Sequence, residues 1–115
     1  MNKKNIFVTG GSGFIGTNLV ESLLARADVN VINVDIAHPK IQAHIDVWKK
    51  IDIRDSDVLL SALKEFRPDI VIHLAARTDL NGNTLEEYSS NTLGTQSLVD
   101  GLKAVGFRGF CAFTS

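Results

Sequence analysis

Disulfide chemistry is excluded first. The chain has a single cysteine, Cys111, among 115 residues, so no internal bridge can staple it. Cys111 lies in the apolar run from Phe110 to Phe113 and reads as a small buried hydrophobe. That usage points to a reducing, cytoplasmic setting rather than a secreted scaffold. An excess of one charge sign is also missing. The 12 Lys and Arg against 13 Asp and Glu leave a formal net charge of −1. A charge that small provides no overall field for nucleic acid or an anionic membrane, so neither is expected as a partner. Long hydrophobic runs are absent too. The basic start Met1-Asn2-Lys3-Lys4 is followed only by Ile6-Phe7-Val8, too short for a signal peptide or a membrane span. There is no internal repeat, no low-complexity tract and no Pro/Gly/Ser linker. What remains is a 44% hydrophobic, 22% charged chain. That is enough apolar surface for one core and one domain, residues 1–115.

Short β-branched runs alternate with helical periods along this domain. Asn5 to Thr9 reads as a buried strand. Phe14 to Ala27 reads as a helix with Ile15, Leu19, Val20, Leu23 and Leu24 on one face. Asn30 to Asp35 is a second strand, residues 36–46 a loop broken by Pro39, and Trp48 to Ile51 a weaker third strand. Ser56 to Phe66 is a helix capped by Asp55 or Ser56, with Val58, Leu59, Ala62, Leu63 and Phe66 on its core face. Pro68 precedes a fourth strand, Ile70 to Leu74. Thr84-Leu85-Glu86-Glu87 is a capping box that opens a long helix to about Val105, closed by Gly106. Arg108 to Thr114 is a fifth strand. Such alternation predicts an α/β fold, a doubly wound parallel sheet with helices on both faces. The strands are near-continuously apolar, as strands covered on both sides are. In the doubly wound order they lie 3-2-1-4-5, with the ligand crevice at the carboxyl ends of strands one and four.

The motif that carries chemistry is Val8-Thr9-Gly10-Gly11-Ser12-Gly13-Phe14-Ile15-Gly16. It follows a strand and opens a helix, the context that a Rossmann-type phosphate loop requires. Gly10 permits the tight turn out of the strand. Gly13, lacking a Cβ, lets a pyrophosphate approach the backbone. Gly16 lets the helix pack closely on the sheet. Free N–H groups and the positive dipole end of the helix then face the phosphates. Asp35 closes strand two, 19 residues beyond Gly16. A carboxylate there accepts hydrogen bonds from the adenosine ribose and repels a 2′-phosphate, which favours NAD over NADP.

Five segments in register resemble the extended short-chain dehydrogenase/reductase family, the NAD-dependent nucleotide-sugar epimerases and dehydratases. Thr9 to Gly16 is similar to that family's TGGxGFIG loop, and Asp35 to its ribose-binding acid. Asp52-Ile53-Arg54-Asp55 is similar to its D-[IL]-x-D segment, where the acid and the next residue's backbone address the adenine. His73-Leu74-Ala75-Ala76 is similar to its HLAA motif, which lies along the cofactor. Asn91-Thr92-Leu93-Gly94-Thr95 is similar to its N-x-x-G-T helix segment. The resemblance implies cofactor contacts at Gly10, Gly13, Phe14, Ile15, Gly16, Asp35, Asp52, Ile53, Leu74, Ala75 and Ala76. Asp55 reads instead as a helix cap, His73 as a hydrogen-bonded core histidine, and Asn91 as a brace for strand four. Arg77, Thr78 and Asp79 follow strand four, near substrate or in a solvated loop.

The resemblance also implies a Tyr-x-x-x-Lys pair after strand five. The one tyrosine, Tyr88, is followed four residues on by Thr92, and it sits on the helix before strand five. Phe113-Thr114-Ser115 is similar to the start of the segment that carries the family's catalytic hydroxyl, which falls just past Ser115. No catalytic residue and no metal ligand is therefore assigned. The expectation is the NAD-binding part of a nucleotide-sugar epimerase or dehydratase, truncated before its catalytic and substrate-binding part and inactive alone. The alternative is a non-catalytic NAD(P)-sensing module. Strand five, rich in phenylalanine, would lie at an open sheet edge and invite self-association.

Overall fold

The computed structural model describes residues 3–74 and 85–113; for residues 85–93 and 113 only the backbone is described. Five parallel strands form one sheet: β1 (Lys4–Thr9), β2 (Val29–Val34), β3 (Trp48–Lys49), β4 (Ile70–His73) and β5 (Phe110–Phe113). Their order is β3-β2-β1-β4-β5, as the alternating pattern predicts. Among the described residues, three α-helices connect them: α1 (Phe14–Leu24), α2 (Ser56–Phe66) and α3 (Leu85–Ala104).

Strand alternation divides the core into two layers. Phe7, Ile32, Val34 and Val71 point to one face, where Leu59 and Leu63 of α2 and Leu98 and Leu102 of α3 cover them. Ile6, Val8 and Val29 point to the other and pack with Leu23 of α1. Each fully buried side chain of this size contributes about 1.5–3 kcal/mol relative to exposure. The two layers explain why the strands read as unbroken apolar runs rather than alternating ones.

Several boundaries differ from the sequence reading. Helix α1 ends at Leu24 instead of Ala27, because the Arg26 N–H turns back to the Leu23 carbonyl and the Arg26 guanidinium pairs with Asp28. Of its expected apolar face, Val20 and Leu23 are buried, whereas Ile15 and Leu24 are exposed. On α2, Leu59, Ala62 and Leu63 are buried and Val58 is exposed. Asp55 is its N-cap, accepting from the Val58 N–H. Strand β3 has only two residues, paired with Asn33 and Val34. Ile51 is still buried in the core, so its hydrophobicity marks packing rather than ladder pairing.

The stretch 36–46, expected as loop, runs into a 3₁₀ helix at Gln42–Val47. His44 anchors it: the ring is buried, and its Nε2 lies 2.7 Å from Glu21 Oε2 on α1. Among the described residues, no helix is long and apolar enough to cross a membrane.

Candidate functional site

Strands β1 and β4 are neighbours, and their helical connections leave on opposite faces of the sheet. The crevice between their carboxyl ends is where an open α/β sheet takes a ligand. Strand β1 ends at Thr9, and Gly10 follows with φ +73°, a left-handed turn that suits glycine. The Gly10 N–H donates to the Val34 carbonyl at 3.0 Å, holding the turn to β2. Helix α1 then starts from Gly13, with no side-chain cap and no acidic residue in its first turn. The first-turn N–H groups have no intrahelical acceptor, and they sit at the positive end of the helix dipole.

The glycines divide their work differently from the sequence reading at one point. A Cβ on Gly13 would meet only the Gly10 carbonyl oxygen, at 3.7 Å. The space in front of Gly13 is open, as a phosphate cradle requires. A Cβ on Gly16 would collide with the Gly10 carbonyl oxygen and with Gly11 Cα. Gly16 thus lets α1 close onto its own loop, where the expectation was close packing on the sheet, because the nearest atoms to it are loop backbone.

Polar side chains of β2 hold the loop from below. Asn33 is fully buried; its Oδ1 accepts from the Gly11 N–H at 2.8 Å and its Nδ2 donates to Ser12 Oγ at 3.1 Å. Asp35 follows two residues on, on the same side of the chain. Its Oδ2 accepts from the Ser12 N–H at 3.0 Å, and its Oδ1 from the Ala37 N–H at 2.9 Å. A carboxylate has about four acceptor positions, so Asp35 keeps capacity for hydroxyl donors. The Asp35 carbonyl accepts from Trp48 Nε1 at 3.0 Å, and the Trp48 ring meets His38 edge-on at 5.0 Å. The acid is fixed from both sides.

A second buried network joins β1, β4 and α3. His73 Nδ1 lies 2.6 Å from Thr9 Oγ1, and its Nε2 lies 3.0 Å from Thr95 Oγ1. The Leu74 N–H donates to Thr9 Oγ1 at 3.1 Å and to the Thr9 carbonyl at 2.9 Å. Burial pushes the His73 pKa below its ordinary value, so the ring is neutral at pH 7. His73 is the hydrogen-bonded core histidine its setting suggested. The brace on strand four that reaches from α3 includes Thr95; the Asn91 side chain lies outside the described residues.

Asp52 is turned toward its own loop. Its Oδ1 accepts from the Arg54 N–H at 2.9 Å, and its Oδ2 pairs with Arg54 Nη2 at 2.7 Å. These bonds hold the Asp52 carboxyl below the usual carboxylate range. The Ile53 side chain packs against buried Gly94, where a Cβ would come within 2.5 Å of Ile53 Cδ1. Phe14 and Ile15 stand exposed at the start of α1, at 79% and 64%. Ala75, Ala76, Arg77, Thr78, Asp79 and Ser115, with the Tyr88 side chain, lie outside the described residues.

Residues 6–115 match the NAD dependent epimerase/dehydratase family. This chain belongs to that family. The dTDP-L-rhamnose 4-epimerase of Burkholderia thailandensis is 38% identical in an alignment 112 positions long that covers 86% of this chain and 30% of that protein. The dTDP-glucose 4,6-dehydratase of Haemophilus influenzae is 32% identical over 108 residues, 84% of this chain and 32% of that protein. Among solved structures, the UDP-glucose 4-epimerase of Thermus thermophilus in complex with NAD superposes with a TM-score of 0.80 at 30% identity, covering 92% of this chain and 36% of that one. The chain thus spans about a third of the length of the relatives it matches.

Within this family member, three residues of the site escaped the sequence reading: Asn33, Ser12 as its partner, and Thr95. The signal for Asn33 was available. An amide in the middle of Val-Ile-Asn-Val, flanked by residues that must be buried, has to find a partner inside.

Proposed function

We propose that these residues form the NAD-binding part of an NAD-dependent epimerase or dehydratase acting on a nucleotide sugar. The observation that carries this reading is the bond from the Ser12 N–H to Asp35, 3.0 Å long. It sets the open space at Gly13 beside a carboxylate suited to ribose hydroxyls. The first-turn amides of α1, from Phe14 through Gly16, take the pyrophosphate. Gly10 shapes the turn that aims them. Asp35 takes the adenosine ribose and, being anionic, disfavours a 2′-phosphate. Asp52 and Ile53 lie toward the adenine, and Leu74, Ala75 and Ala76 along the rest of the cofactor. NAD, when bound, supplies the acceptor and donor of a hydride. The chain's own part is to bind it, orient it and keep its two faces distinct.

The relatives named as epimerases and dehydratases supply the substrate class, a sugar carried on a nucleoside diphosphate. No Tyr-x-x-x-Lys occurs in the 115 residues, so they are proposed to bind NAD without turning over a sugar. Calorimetry with NAD, against a Gly13→Val control, tests the binding. The parent gives a saturable heat and the variant none, because a valine fills the open space before the helix. Equal heats from both proteins would remove the cofactor assignment. Turnover of UDP-glucose or dTDP-glucose by the purified 115 residues would refute the proposal that catalysis needs more.

A further inference from the structure

The opposite end of the sheet holds a cavity of about 770 Å³, and it shares no residue with the glycine loop. Its floor is made by Leu63, Val105 and Phe107, and four cations stand around it: Lys4, Lys64, Arg67 and Arg108. Among the described residues none of these four joins an ion pair, whereas Arg26, Lys49 and Arg54 each pair with a carboxylate. The one acid on the wall, Asp69, is engaged: its Oδ2 accepts from the Asn5 N–H at 2.8 Å.

We propose that this cavity binds a small phosphomonoester with an apolar body, at a site separate from the cofactor crevice and independent of it. Charge is the first argument. The carboxyl ends of α2 and α3 also face the cavity, and each carries about half a negative charge. Set against four cations and one carboxylate, these leave an excess of about two positive charges in a molecule whose net charge is −1. That excess matches a phosphomonoester, which carries about −1.5 to −2 at neutral pH. The volume lies in the range of small-molecule sites, and the apolar floor beneath a polar rim is their usual construction.

Arg67 is the second argument. Both helices that end here stop in a left-handed residue. At α3 that residue is Gly106, with φ +69°. At α2 it is Arg67, with φ +53°, the one non-glycine residue of positive φ among those described. Its N–H closes the helix onto the Leu63 carbonyl at 2.9 Å, a role glycine fills with less strain. The helix dipole does not require an arginine there, because Lys64 already stands in the last turn of α2. Arg67 thus places a cation in a strained position on the cavity wall, and strain of this kind at a cavity points to a functional contact.

The test is a ¹⁵N-resolved NMR titration of the full chain with 1-naphthyl phosphate at low salt. Amides of Leu63, Lys64, Arg67, Phe107, Arg108 and Gly109 should shift together, while those of residues 10–16 stay still. Inorganic phosphate and 1-naphthol alone should each bind more weakly than the ester. Arg67→Gly should raise the melting temperature by a few degrees yet weaken binding about tenfold, the loss expected for one charge-assisted contact. Lys64→Glu, at an exposed helix position, should weaken it at least as much. Shifts confined to residues 10–16 or 110–112 would overturn the proposal. So would parent affinity in both variants, or no shift at millimolar ester.

Discussion

The two ends of the sheet offer two ways of presenting positive potential. At the carboxyl end, the glycine loop relies on backbone amides and a helix terminus, with an acid, Asp35, built into the same 3.0 Å contact. At the amino end, four long flexible cations stand over an apolar floor. The first arrangement is rigid, because moving any part breaks buried hydrogen bonds through Asn33. The second is adaptable, since each cation swings on its own stem. Backbone amides at a fixed turn select for shape as well as charge. Side-chain cations select mainly for charge. The difference teaches that net charge, −1 here, says little about where an anion can sit.

The comparison can be broken most forcefully at Gly16. A Gly16→Val side chain would drive into the loop carbonyls, so a loss of about 1–3 kcal/mol or more is expected from urea unfolding, with NAD binding abolished. Asn33→Leu comes next. It strands the Gly11 N–H and the Ser12 hydroxyl, and about 1–3 kcal/mol should disappear. If that variant unfolds at the parent's urea midpoint, the loop is not held from β2.

Gly13→Val sharpens the contrast instead. Gly13 has extended backbone angles that any residue adopts and faces open space, so stability should stay within about 0.5 kcal/mol while NAD binding is lost. A milder effect concerns His73. Its pKa in the folded chain is below the ordinary 6.5, so the unfolded state takes up the proton first as pH falls. Stability should therefore be complete above about pH 6.5 and decline below it. His73→Gln should flatten that part of the acid limb in a melting-temperature series. The smallest effect on the fold belongs to Phe110, which is 67% exposed at the edge of the sheet. We propose that β5 pairs with a second copy of the chain at high concentration. Phe110→Lys should lower the mass seen by light scattering while leaving the unfolding free energy within about 0.5 kcal/mol of the parent.

Much of this was legible in the residues. Strand order, the glycine turn and Asp35 followed from local signals: a strand, a glycine spacing and an acid at the end of the next strand. The Asp55 cap was readable for the same reason. What escaped depends on distant segments meeting. Ile15 and Leu24 fit the helical period of α1 but stay exposed, which periodicity alone does not show. The 3₁₀ helix rests on His44 reaching Glu21, 23 residues back. The contact that requires glycine at position 16 depends on the path of the loop before it, which residue spacing does not contain. The amino-end cavity draws on residues 4, 63, 64, 67–69 and 105–109, none of them a motif in isolation.

One register has a bearing on how the chain assembles. Central β1 pairs on one side with β2, Lys4 opposite Val29, and on the other with β4, Ile6 opposite Ile70. The first contact closes a short loop and the second a long one, so the order of events is set by chain entropy. A half-sheet of β1 and β2 formed during synthesis would keep an unpaired edge on β1 until residue 70 emerges. That interval, rather than the finished fold, is when a chaperone has most to shield.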